Sequence, residues 1–460
     1  MRRWPVTAAL AAVALFLIVA THTRQGGWND ASRLAMVEAI VEHGHLWVDG
    51  TQMSRYTGDV ARIDGKLYSD KPPALAFAAV PVYAAETALG ITFRSALPRA
   101  YYWTTLLTIG VSTVAGLAVL AWFLRRVVPD PWWHAATIAA IGLGTLNTAY
   151  SVTFSNHPPS ATALLVAFLL LWHWRRFGGG LASVTASALA LGFAALTDHG
   201  AAFYLPAFLL YVAWPDSPSR GAAGERRSGD ASADGKRGAL DIDVGNPSTP
   251  RRRRAAALLF AAVSGAAIVA YAAYAIALSG SPLPLPLQPR LFDYPGSYFA
   301  DRAHLAGSAL PHASFADFTR YVGFCLFGYR GLFTLTPLAL FVVWGIARIA
   351  LSATHPHRDE ARLALVPTIV LVAYYLVTSS DPGGNAYGVR WFCLFLPMFY
   401  VFLTDAYALL RRRVTRVLFW VAYALSIPLA LIGAMDPWLD PTRWGSGFAW
   451  VIVLRAHGWL

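Results

Sequence analysis

Four polar stretches interrupt an otherwise apolar chain, and each carries residue types suited to holding an anion or moving a proton. The first is Trp28-Asn29-Asp30-Ala31-Ser32-Arg33. A carboxylate at Asp30, just past the first apolar run, stands where a bundle meets water and could accept a proton from a hydroxyl. Asn29 or Asp30 could equally cap a helix over 31–42. The second is Asp64-Gly65-Lys66-Leu67-Tyr68-Ser69-Asp70-Lys71-Pro72-Pro73. Its prolines suit a helix start, which puts Lys71 at headgroup depth, within reach of a lipid phosphate. The competing role is an interface lysine that snorkels to water, with Asp70 as its partner. In the third, Tyr150 to Pro159, His157 could ligate a metal, donate to a phosphate or cap the turn. The fourth runs from Asp381 through Gly383-Gly384 to Arg390-Trp391. Its glycines let the backbone fold tightly, and Arg390 enters the next apolar run at once. An arginine at a span boundary is costly unless paired or able to reach the interface, and Arg330, in Tyr329-Arg330-Gly331, repeats that placement. Acids, a lysine, two arginines and a histidine on one side of a bundle suit an anionic lipid headgroup and acid–base chemistry.

The elements that must position these residues are membrane helices. Of 460 residues, 56% are hydrophobic and 13% charged, with a mean hydropathy of +0.46; a soluble domain carries about twice that charged fraction. Runs approaching the roughly 20 apolar residues of a spanning helix recur along the chain, which predicts an all-α polytopic protein of about 11–13 transmembrane helices. The net charge of +12 does not argue for nucleic acid. The basic residues sit in short clusters between apolar runs (Arg125-Arg126, Arg175-Arg176, Arg251 to Arg254, Arg411 to Arg413), as expected of cytoplasmic loops. Met1-Arg2-Arg3 before the first apolar run reads as an uncleaved signal anchor with a cytoplasmic N-terminus.

Residues 21–71 then form a first extracytoplasmic loop. Within it, 31–42 places Leu34, Val37, Ile40 and Val41 around one broad face, predicting a short helix on the membrane surface or packed on the loop. The runs 72–92 and 99–124 compete for a single crossing between that loop and Arg125-Arg126, and orientation rules do not decide between them. Residues 215–254 are rich in Gly, Ser, Pro and charge and read as a disordered cytoplasmic insert within one transmembrane domain. The insert holds Asp241-Ile242-Asp243, an acidic pair of the kind found in sugar transferases, but on the wrong side for the other candidates. Cys325 and Cys393 sit in apolar contexts and read as free buried thiols.

On Asn29-Asp30 with Ser32-Arg33, the Asp64 to Pro73 stretch, Tyr329 to Phe333, and Gly383-Gly384 to Arg390-Trp391, the chain resembles the GT-C superfamily of multispan glycosyltransferases. The bacterial relatives meant are of the protein O-mannosyltransferase and lipid A aminoarabinose transferase type. The resemblance covers most of the chain in order, apart from 215–254. It implies a GT-C-like bundle in a bacterial inner membrane, with its active site extracytoplasmic. It implies further that Asp30 is the catalytic base or a metal-binding acid, and that Lys71 and Arg390, with Arg330, meet the phosphate of a polyprenyl-phosphate sugar donor. His157 stands where such enzymes often have a second acid. That departure leaves a divalent metal open, with His157, Asp70 and Asn29 as substrate or metal contacts. The implied reaction transfers a sugar, with inversion, to a lipid, glycan or protein acceptor of the envelope, without a soluble cofactor. A non-catalytic transporter or scaffold is the alternative, as is a ligase or polymerase of polyprenyl-linked glycans. A transporter should show inverted repeats and mid-span ionisable residues, and neither is evident.

Overall fold

The computed structural model describes residues 4–214, 249–299, 312–439 and 447–460. Among them the chain is almost wholly helical, with one two-stranded hairpin. Four helices are long and apolar enough to cross a membrane alone: Leu97–Val127, Pro250–Ser279, Arg358–Thr378 and Arg413–Met435. A fifth crossing results if Phe315–Leu335 and Leu338–Leu351, bent by 102° at their junction, count as one span. The helices Trp4–Ala20 (α1), Ala74–Ala88, Leu181–Thr197 and His199–Ala213 are apolar but shorter. Many of the expected runs are thus cut by Pro, Gly and polar breaks into pieces below the roughly 20 residues that span a bilayer alone.

The competition between 72–92 and 99–124 is unequal. Ala74–Ala88 has 15 residues, a length of about 22 Å against a hydrocarbon core of about 30 Å. Leu97–Val127 continues for 31 residues through one π-helical turn at Leu106–Gly110. Of the 215–254 segment, 215–248, which includes Asp241-Ile242-Asp243, lies outside the described residues. Pro250 to Arg254 are already helical and open the Pro250–Ser279 helix, with proline in its first turn. Residues 250–254, within the segment expected to be disordered, are thus helical.

The first loop holds the largest departure from expectation. Its helix α2 (Trp28–His43) does not lie on a surface: every residue from Asp30 to Ala39 is buried. Leu34, Val37 and Met36 pack with Leu75, Ala79 and Tyr83 of the following helix α3 (Ala74–Ala88). The opposite, polar face is buried because it is satisfied. Ser32 Oγ donates to the Asp59 carbonyl at 2.6 Å and meets Ser69 Oγ at 2.8 Å. The Glu38 carboxylate accepts from the Gln52 and Met53 amides at 2.6 and 2.9 Å. A buried polar group with a full set of partners costs little; one without them costs on the order of 1–3 kcal/mol.

Strands β1 (Val60–Ile63) and β2 (Lys66–Ser69) pair from Val60↔Ser69 to Ile63↔Lys66. Asp64 (φ 49°) and Gly65 (φ 81°) occupy the left-handed region at both central turn positions, which the two-residue type I′ hairpin turn requires and Asp-Gly supplies. The hairpin carries Ser69, Asp70 and Lys71 up against α2.

At the far end of the bundle the helices are clamped by a buried ion pair. The His157–Phe177 helix starts at the first-loop end and delivers Arg176 to the other end, where its Nε donates to Glu360 at 2.6 Å. Tyr211 also donates to Glu360 at 2.6 Å, and the carboxylate is fully buried. Both cysteines are free and buried. Removing one partner of a buried pair strands the other charge. Glu360→Ala is therefore expected to lower the thermal unfolding temperature in detergent, by about 3–5 kcal/mol of stability. Arg320→Ala, which breaks the exposed pair with Asp317, should leave the temperature unchanged. Equal effects from the two variants would refute the clamp.

Candidate active site

At the first-loop end the helices enclose a cavity of about 450 Å³. Its wall is built from six separate parts of the chain: Asn29 and Arg33 of α2, Pro72, the Asn156-His157 turn, residues between Asp198 and Phe203, Tyr374-Tyr375, and Arg390-Trp391. Pro284, Pro286 and Leu287 close the remaining side. One part of the wall is apolar, with Tyr375 and Trp391 stacked at 4.9 Å between ring centroids. The rest is polar and charged.

Helix geometry explains which residues of α2 reach this space. Successive residues advance by about 100°, so Asn29 and Arg33, four apart, share a face. The Arg33 guanidinium donates to the Asn29 carbonyl at 3.0 Å and also to its side-chain oxygen. Asp30 is turned away from them into the protein. It is fully buried and is not among the residues that line the cavity. Its Oδ2 accepts from the Gly26 amide (3.2 Å), the Tyr101 hydroxyl (2.9 Å) and the Thr153 hydroxyl (2.8 Å), while Oδ1 has no partner. Burial pushes the Asp30 carboxyl above its usual range, and the bonds from Thr153 and Tyr101 oppose that only in part.

Lys71 is outside the cavity lining as well. Its ammonium lies 2.8 Å from Asp59 and 3.2 Å from Asp70, so two carboxylates already surround it. Pairing, and not snorkelling, is what the Asp70-Lys71 sequence produces. Burial raises the Asp70 carboxyl, with Lys71 pulling against that rise. Only Pro72 of this stretch faces the cavity.

Arg330 is committed elsewhere too. Its Nη1 donates to the carbonyls of Gly384 and Ala386 at 2.9 and 3.2 Å, holding the glycine-rich loop that presents Arg390. Arg390 itself lines the cavity, forms no ion pair among the described residues, and lies 5.2 Å from the centroid of the Trp438 ring. Its Nε is buried without a partner. Arg33 supplies a second cation. Burial draws its guanidinium down to about 10, against the pull of Asp70, Asp198, Asp59 and Asp30 around it, so it stays charged at neutral pH.

His157 faces the cavity in company that the sequence does not show. Its Nδ1–H donates to Asp198 Oδ2 at 3.0 Å, and Asn156 Nδ2 donates to the same oxygen at 3.1 Å. Asp198 Oδ1 accepts from the Gly200 amide at 3.1 Å. The carboxylate fixes the imidazole tautomer and leaves Nε2 as a proton acceptor, and that Nε2 is buried without a partner. The acid beside His157 comes from the turn after the Leu181–Thr197 helix, 41 residues on.

Most buried polar atoms in a folded protein are hydrogen-bonded. Five that are not, Arg33 Nε, Asn156 Oδ1, His157 Nε2, His199 Nε2 and Arg390 Nε, belong to residues lining this one cavity. It is a place with donors, acceptors and positive charge in reserve. A metal has a weaker claim there. Among the described residues, the group of three whose ligand atoms lie within 4.8 Å of one another is Glu38, Glu42 and His43. It sits toward the other end of α2, on average roughly 12 Å along the helix from Arg33, and its two carboxylates already accept from Gln52, Met53 and Tyr83.

No protein-family model and no curated protein matches the sequence. Solved structures do match the fold. The oligosaccharyltransferase of Archaeoglobus fulgidus, tethered to an acceptor peptide, aligns over 96% of this chain and 56% of its own, with 14% identity and a TM-score of 0.51. The same organism's enzyme AglB, in complex with an inhibitory peptide and a dolichol-phosphate, aligns over 95% and 56%, with 14% identity and a TM-score of 0.50. ArnT from Cupriavidus metallidurans, bound to undecaprenyl phosphate, aligns over 97% and 76%, with 14% identity and a TM-score of 0.49. The chain spans little more than half the length of the archaeal enzyme. This membrane protein therefore has the fold of the archaeal oligosaccharyltransferase.

Proposed function

We propose that the protein is a glycosyltransferase that moves a sugar, with inversion, from a polyprenyl-phosphate donor to an envelope acceptor. The cavity would then lie at the extracytoplasmic face of a bacterial inner membrane, with the N-terminus in the cytoplasm. The observation that carries this reading is the single cavity that joins two cations, Arg390 and Arg33, to the Asp198-oriented imidazole of His157. The dolichol-phosphate held by the archaeal enzyme of the same fold supports the choice of donor.

In this reading Arg390 and Arg33 hold the donor phosphate, and the apolar wall of Tyr375 and Trp391 takes the first part of the prenyl tail. The acceptor hydroxyl attacks the anomeric carbon from the side opposite the phosphate. The bond from that carbon to the phosphate oxygen breaks, and polyprenyl phosphate leaves carrying the extra negative charge. The hydroxyl proton passes to His157 Nε2, and Asp198 stabilises the imidazolium that forms. Cations fixed where charge develops, in a site shielded from water, stabilise the leaving group most effectively. Asp30, turned from the cavity, acts as the buried support of its α2 wall, and Lys71 with Asp59 and Asp70 braces the same wall. In this conformation neither reaches the reacting atoms.

Two expectations follow. Arg390→Ala should weaken binding of undecaprenyl phosphate by about tenfold or more, the worth of one charge-assisted bond; unchanged affinity in a direct binding assay would remove Arg390 from the phosphate site. His157→Ala should lower turnover by about 10²–10⁴ with little change in donor affinity, measured as polyprenyl phosphate released from a panel of polyprenyl-phosphate sugars. Turnover that survives in His157→Ala but vanishes in a folded Asp30→Asn variant would return the base to Asp30.

A further inference from the structure

A second and larger cleft, of about 740 Å³, opens beside the cavity. Its walls come from the first loop and from the 294–298 segment. Four aromatic residues line it, Trp28, Tyr56, Tyr294 and Tyr298, together with Arg55 and Arg62, and no carboxylate is among the lining residues. Trp28 and Tyr298 meet edge to face at 4.7 Å and remain 40% and 62% exposed. The Trp28 indole lies so close over Gly58 that a Cβ there would stand 2.8 Å from the ring. The Arg62 guanidinium rests 4.3 Å from the centre of the Tyr294 ring. Neither Arg55 nor Arg62 has an ion pair among the described residues, although both are exposed. Gln25, also in the lining, has its Oε1 buried without a hydrogen-bond partner.

Exposed aromatic rings offer apolar faces to a ring-shaped ligand while their polar edges stay wet. Two unmatched guanidinium groups in a wall free of acids recognise an anion, and phosphate above all, by paired N–H donors. An unpaired buried amide oxygen calls for a hydroxyl or N–H donor. A neutral peptide would satisfy the rings but not the arginines, and a bare phosphate would leave the rings unused. We infer that this cleft binds the acceptor, and that the acceptor is an anionic saccharide, phosphorylated or otherwise acidic, docked through Arg55 and Arg62.

The assignment of this ligand as acceptor rests on the glycosyltransferase reading, since Trp28 of the cleft and Asn29 of the cavity are consecutive. The two spaces therefore abut across the first turn of α2. The ligand chemistry itself stands on the cleft alone, so it can be tested by binding.

Isothermal titration calorimetry on the full chain in detergent, with trehalose 6-phosphate, unphosphorylated trehalose and an uncharged heptapeptide as probes, separates the cases. The phosphorylated sugar should bind about tenfold or more tightly than its parent. An Arg55→Ala/Arg62→Ala double variant with an unaltered unfolding temperature should lose that difference. Equal affinity for the two sugars, a preference that survives the double substitution, or tighter binding of the peptide would each overturn the proposal. Undecaprenyl phosphate titrated in parallel keeps the readings apart: failure to bind it counts against the donor site, and loss of sugar discrimination counts against the cleft.

Discussion

Taking a carboxylate out of water is tolerable only where donors converge on it, and around Asp30 three do. The Gly26 amide comes from the turn after α1, the Tyr101 hydroxyl from the long Leu97–Val127 helix, and the Thr153 hydroxyl from the turn before His157. One side chain therefore fixes the relative positions of three chain segments. Trp438 completes the lock: its ring packs on Gly26 and Gly27, where any Cβ would come within 3.0 Å of it. Its Nε1 donates to Thr153 at 3.3 Å, and Arg390 lies above the same ring. The first loop, the His157 turn and the Arg390 loop are thus registered to one another through Asp30 and Trp438, before any substrate is considered.

Charge is distributed at this end so that most of it cancels locally. Lys71 is matched by Asp59 and Asp70, and Asp198 is engaged by His157, Asn156 and the Gly200 amide. Arg330 is spent on two carbonyls. What is left over faces the cavity as Arg390, with Arg33 at its edge among four acids. In surroundings of low dielectric an uncancelled cation attracts an anion far more strongly than it would in water, and the walls concentrate that field in the cavity. With Lys71 and Arg330 committed to protein partners, the spare positive charge is confined to one region of the wall.

The membrane-spanning, helical character was legible in the sequence because it depends on composition and on run length, which are local properties. The Asp64-Gly65 hairpin was missed, although Asp-Gly between two short β-prone runs is a hairpin signal. The face of α2 was half legible. Its apolar stripe was plain, but the burial of Ser32 and Glu38 was not, because their partners at Asp59, Ser69, Gln52 and Met53 lie outside the helix in the rest of the first loop. The i,i+4 spacing of Asn29 and Arg33 put those two on one face, a helical-wheel argument that a focus on acidic residues passes over; it did not show that Asp30, three residues before Arg33, turns into the core. What could not be read was the pairing of His157 with Asp198, since each lies in its own turn between spans and only packing of the Leu181–Thr197 helix against His157–Phe177 brings them together. The same holds for Arg62 and Tyr294, which are 232 residues apart in a chain with no periodicity linking them.

The first turn of α2 concentrates these features in four residues. Trp28 points into the cleft, Asn29 into the cavity, Asp30 into the core, and Arg33, a turn later, back into the cavity. Helix periodicity separates Trp28, Asn29 and Asp30 by about 100° each and returns Arg33 to the side of Asn29. A loop could carry the same four side chains but could not keep them apart. A ligand in the cleft and a ligand in the cavity would then be separated by a single residue, Asn29, whose own side chain is tied to Arg33. The buried carboxylate at Asp30 ties this turn to Gly26, Tyr101 and Thr153, so the acid most conspicuous in the sequence anchors the backbone between the two spaces.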